Sequence, residues 1–128
     1  MSKQLFTFLL MGTLSTSALA LQEPAQQTLK YDGNELLRAC HEWSSSDASR
    51  RDPFQAGYCV GTILSAKSTI SALQQAQLMK PFVCVPKGII NSELIKLVML
   101  RLEDDEQLRQ MNQNVAVASA LSDAYPCR

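Results

Sequence analysis

The sequence predicts an all-α protein: a compact bundle of four main helices stapled by two disulfides. Three observations carry that expectation. Apolar residues recur at three- and four-residue spacing in four stretches, the signature of helices with one buried face. No alternating strand pattern is longer than "FVCV" at residues 82–85. Four cysteines, an even number, stand in a short chain that opens like an export substrate.

That opening is "MSKQLFTFLLMGTLSTSALA". Lys3 precedes an apolar run over residues 5–14, and Ala18 and Ala20 stand at the small-residue positions before a cut. The pattern predicts a signal peptide over residues 1–20, with an apolar run too short to span a bilayer. Residues 21–31 read as a flexible leader, and residues 32–128 as a single domain with one modest core. Removing the first twenty residues takes away one lysine and no acid, so 12 acidic residues face 11 basic ones. Such a balance offers no overall excess of charge to attract nucleic acid or an anionic membrane.

The first helix is expected from Gly33 or Asn34 to about Trp43, capped by Asp32 or Asn34, with Leu36, Cys40 and Trp43 on one face. The polar stretch at residues 44–52 reads as an exposed loop. Asp52, Pro53 and Gln55 then form the pattern of a capping box with proline at the first helical position. The second helix is expected to run to about Leu78, with Cys59, Ile63, Ala66, Ile70 and Leu73 as its apolar stripe. Pro81 and Pro86 make residues 79–88 an extended connector. A third helix, from Ile90 or Asn91 to Leu102, is apolar nearly all round and so either central or in contact with another subunit. Asp104 or Asp105 caps a fourth, which continues to about Ala124 with Leu108, Met111, Val115 and Ala118 as its stripe.

Two glycines in the second helix need a reason, because each costs roughly 1 kcal/mol against alanine. At 100° per residue Gly57 and Gly61 lie about 40° apart, roughly opposite Cys59. The expectation is a helix covered on two sides, its small-residue face letting another backbone come close. The cysteines pair by topology. Cys40 ends the first helix and Cys59 begins the second, so a hairpin joins them; Cys84 precedes the third helix and Cys127 follows the fourth, so an antiparallel pair joins those.

Chemistry is not expected. His41 is the single histidine, and its neighbour Cys40 points about 100° away on a helix, so they form no nucleophile–base pair. No catalytic, cofactor or metal residues are assigned. Trp43 and Tyr58 read as core or half-buried. The acidic run Glu103, Asp104, Asp105 and Glu106, and the loop arginines Arg50 and Arg51, are the candidates for contact with a partner.

The segments "NELLRAC", "AGYCVGTI", "FVCVPKGI" and "ALSDAYPC" together resemble the Rap/Tai family of type VI secretion immunity proteins, over about residues 32–128. The resemblance implies a small periplasmic helical protein, often a homodimer, that binds and occludes a peptidoglycan amidase effector and so protects the producer and its kin. It also implies that Gly57, Tyr58, Cys59, Gly61, Cys84, Pro86, Pro126 and Cys127 are scaffold positions. The chain departs from the family pattern at Ile90, where threonine is frequent as a helix cap, and near Asp104, where proline is frequent. The alternative reading is a small periplasmic acid chaperone, which would open and bind a hydrophobic dye near about pH 3.

Overall fold

The computed structural model describes residues 31–128, so the expected signal peptide and all but the last residue of the leader lie outside the described residues. Five helices are present and, among the described residues, no strands: α1 Gly33–Ser44, α2 Pro53–Gln75, α3 Asn91–Asp104, α4 Glu106–Gln110 and α5 Gln113–Ala124. The long helix α2 packs along α1 and against α5, while α3 closes the other side of the core against α1 and α5.

Local chemistry accounts for most boundaries. The Asp32 carboxylate accepts from the Glu35 amide at 3.0 Å and starts α1. Asp52 does the same for α2, accepting from Phe54 and Gln55 amides at 2.9 and 3.2 Å, with Pro53 behind it. The reciprocal half of the expected capping box comes from elsewhere. The Asp52 amide donates to Glu42 of α1 at 3.1 Å, and Gln55 turns toward Arg38 instead. The two helices of the first hairpin are therefore tied at their joint by a tertiary bond as well as by sulfur.

Helix α2 stops three residues before the expected Leu78. Gln77 adopts φ 58°, the Leu78 amide donates to the Leu73 carbonyl at 2.9 Å, and the Gln77 amide donates to Gln74 at 3.1 Å. This pair of bonds is a Schellman stop, which ordinarily has glycine at the left-handed position. With glutamine there, nothing in the sequence signals the end.

Helix α3 begins at Asn91 with Ile90 as its cap residue, and no side chain accepts from the first-turn amides. Glu93 supplies only the return bond, accepting from the Ile90 amide at 3.3 Å. Ile90 is also 59% exposed. Changing Ile90 to threonine is expected to raise stability by about 1 kcal/mol, since a hydroxyl would satisfy an orphan amide. A urea midpoint equal to or below wild type would contradict this.

The expected fourth helix is two helices. Met111 is extended (ψ 160°), and Asn112 caps α5 by accepting from the Asn114 amide at 3.0 Å. Restarting the helix changes its phase, so the buried stripe is Leu108, Ala116, Val117, Ala120 and Leu121 rather than the expected one. Met111 and Val115 are exposed, at 42% and 51%. The break is stabilised by pairing with the start of α1: the Gly33 amide donates to Met111 and the Gln113 amide to Tyr31, at 3.0 and 2.9 Å.

The core takes Leu36, Ala39, Cys40, Cys59, Ile63, Leu94, Ile95, Val98, Leu102 and the α5 stripe, all nearly or wholly out of water. Trp43 and Tyr58 pack half-buried at its edge, and α3 buries one face, Leu94, Ile95, Val98, Met99 and Leu102, rather than being enclosed all round. Its outward Leu100 remains 58% exposed.

Candidate functional site

Both expected disulfides form, Cys40–Cys59 and Cys84–Cys127, with Cα–Cα distances of 4.9 and 5.0 Å. Their surroundings differ. Cys40 and Cys59 are fully buried between α1 and α2, whereas Cys84 lies exposed in the connector and Cys127 is half-buried. Paired cysteines of this kind are commonest in proteins of oxidising compartments.

The second disulfide is one of several tethers on the connector. The Cys84 amide donates to the Tyr125 carbonyl at 2.8 Å, and Val83 and Pro126 form an antiparallel bridge. From α2, the Gln74 side chain accepts from the Phe82 and Val83 amides at 3.0 and 3.1 Å and donates to the Val83 carbonyl at 2.9 Å. One amide thus satisfies three backbone groups that have no helix to serve them. Sequence reasoning missed Gln74, because a glutamine at the end of a helix signals nothing until the connector is folded back on it. Pro86 lines the shallow hollow beside this clamp.

Tyr58 and Gln113 join α2 to α5: the phenol hydroxyl donates to the Gln113 carbonyl oxygen, and Gln113 is 8% exposed. Burial pushes the Tyr58 phenol above its ordinary value, partly opposed by the hydrogen bond to Gln113. A raised value in the folded state favours folding while the phenol is protonated. That contribution is complete below about pH 10 and is lost as pH rises above it. The difference in phenolate absorbance between wild type and Tyr58→Phe is therefore expected to titrate above the free-tyrosine value. A midpoint at or below that value would refute the burial account.

The two glycines lie on an open face. An added Cβ at Gly57 or Gly61 would meet nothing within 4 Å, so the expected cover over this side of α2 is not supplied by the described residues. The face also carries exposed Phe54, Ser65, Ser68 and Ala72, none of them charged.

The acidic run lies along α1. Glu103 stands 3.9 Å from His41, both partly exposed. Asp105 is occupied in capping α4, accepting from the Leu108 amide at 3.0 Å. Asp104 and Glu106 are exposed. Arg109 holds the turn by donating to the Leu102 and Glu103 carbonyls at 2.8 and 2.9 Å. Arg50 pairs with Asp47 at 3.4 Å, and Arg51 donates to the Ser45 carbonyl within its own loop. The candidate arginines are thus engaged locally, and the structure does not join them to the acidic run.

Cys40 and His41 do not form a nucleophile–base pair. Cys40 is locked in a buried disulfide, and His41 points to the surface with 56% of its side chain exposed. Among the described residues no cluster of histidine, cysteine, aspartate or glutamate could hold a metal ion, and no helix is long and apolar enough to cross a membrane.

Fold and surface together define a small disulfide-stapled helical domain. The family model of the Rap1a immunity proteins matches residues 32–127, so the chain belongs to the Rap1a immunity protein family. Comparison with curated proteins and with solved structures returned no match.

Proposed function

We propose that this protein is exported to the periplasm and there binds a type VI secretion peptidoglycan amidase, shutting the wall peptide out of the amidase cleft. The observation that carries the reading is the family match over nearly all the described residues. Two disulfides support export, and a domain pinned at both hairpins supports inhibition by a preformed surface, because a rigid partner loses little conformational entropy on binding. The amidase of this reading is a Cys–His enzyme, and the immunity protein contributes no chemistry to it. Purified protein is expected to form a stable complex with a candidate amidase and to abolish its cleavage of wall peptides. Absence of binding to any amidase encoded beside it would overturn the reading, as would acid-triggered opening with client holding.

The reading includes a homodimer. Support comes from the uncharged outer face of α2, where Gly57 and Gly61 permit close approach and Phe54 stands 73% exposed. A Cβ added at Gly61 meets nothing within 4 Å among the described residues, so Gly61→Arg is chosen to separate assembly from folding. The variant is expected to sediment as a monomer with unchanged helicity; a persistent dimer would place the contact elsewhere.

A further inference from the structure

The segment between α2 and α3, residues 76–90, has no helix or strand of its own. Connections of that length are uncommon in small domains, and ordered ones are usually functional. This one is held at many points: the Gln74 clamp, the Val83–Pro126 bridge, the Cys84–Tyr125 bond and the Cys84–Cys127 disulfide. Yet it keeps large apolar side chains in water, with Leu78 75% and Phe82 36% exposed. It also opens on a left-handed glutamine, Gln77.

Charge sharpens the picture. Between Asp52 and Glu93 the chain has no acidic residue, and its charges there are Lys67, Lys80 and Lys87. None of the three takes part in an ion pair among the described residues. They line two adjoining hollows of about 550 and 530 Å³ that share Gln74 and Pro81 as a common wall. Lys67 and Lys87 border the first; Lys80 and Leu78 border the second. Among the residues lining the two hollows these lysines are the only charged ones, so the hollows are locally basic on a protein with no net charge; Glu93 stands at the far end of the connector, accepting from the Ile90 amide.

We propose that this tethered connector is the surface that docks the toxin, and that it receives a toxin segment with carboxylates flanking an apolar side chain. The inference rests on the immunity reading and places its contact on the connector rather than on Glu103–Glu106 or Arg50 and Arg51. Complementarity favours this occupant: unpaired lysines attract carboxylates, and Leu78 and Phe82 supply apolar area that is already ordered before binding.

The test uses the exported chain and two probes. The first is a labelled synthetic octapeptide carrying four carboxylates around a leucine–phenylalanine pair, followed by amide chemical shifts. Shifts at residues 67–88 are expected, weakening with added salt, and Lys80→Glu/Lys87→Glu should weaken binding at least tenfold. Lys80→Gln/Lys87→Gln, which removes charge without reversing it, should give an intermediate loss. Shifts centred on the α3–α4 turn or the outer face of α2, or none, would overturn the proposal. So would equal perturbation of these residues by phosphatidylglycerol vesicles, or by raising the protein concentration alone. The second probe is the amidase. An amidase that binds the Lys80→Glu/Lys87→Glu variant as tightly as wild type sinks the docking surface and leaves immunity standing. An amidase that ignores the wild type sinks immunity, and the peptide result still judges the surface.

Discussion

Replacing Cys40 and Cys59 together by alanine is expected to lower stability by about 4–6 kcal/mol, more than the corresponding loss of Cys84 and Cys127. The chain-entropy argument alone gives the reverse order. The Cys40–Cys59 bond closes 19 residues and the Cys84–Cys127 bond 43. These correspond to about 3 and about 4 kcal/mol. Burial decides the order. Cys40 and Cys59 are fully buried in the centre of the α1–α2 joint, so two truncations there also leave space that the surrounding side chains cannot fully recover, roughly another 1–3 kcal/mol. Cys84 is exposed, and the connector keeps its Gln74 clamp without the bond. Urea unfolding of the two double variants, with helicity as the signal, checks this. A lower midpoint for the Cys84/Cys127 double variant than for the Cys40/Cys59 one would mean that loop closure is the whole effect.

Gly33→Ala is expected to cost about 2–3 kcal/mol, a loss out of proportion to a single methyl. Its Cβ would stand 2.7 Å from the Arg109 Cα and 2.9 and 3.0 Å from the Leu108 and Arg109 carbonyl oxygens. Every one of these atoms is backbone, so no rotamer change relieves the clash. The start of α1 would have to withdraw from α4, and the bonds from Gly33 to Met111 and from Asn34 to Arg109 would lengthen. The thermal midpoint is expected to fall by roughly 10–20 °C for a domain of this size. An unchanged midpoint would show that α4 moves aside at little cost.

These two positions illustrate how differently residues announce themselves. The cysteine pairing followed from the order of helices, because a hairpin of short reach admits few partners. Gly33 could only have been read as an indifferent residue beside a cap, since its role depends on α4, which lies some seventy-five residues away in sequence. Gly57 and Gly61 show the converse. Their spacing predicts cover on that face, but the described residues leave it open.

Candidate surfaces were less legible than the fold. The run Glu103–Glu106 stood out as charge, and part of it proved to be helix capping, with Asp105 bonded to the Leu108 amide. Arg51 likewise proved to hold its own loop. Leu78, by contrast, looked like the last residue of a helix and emerged as an exposed apolar residue on a tethered connector. Its exposure is set by the left-handed turn at Gln77, and no glycine marks that turn.

The sequence by itself determined the helical class, the cap residue Asp52, the cysteine pairs and the family, and it narrowed the first cap to Asp32 or Asn34. Each depends on residues near one another in the chain or on the order of elements. Only the tertiary structure decided where α2 ends, that α4 and α5 are separate, and that Gln74 holds the connector. Those outcomes turn on backbone groups meeting partners far along the chain. A hydrogen bond's acceptor is chosen by the fold around it, and local propensity differs too little between the alternatives to choose first.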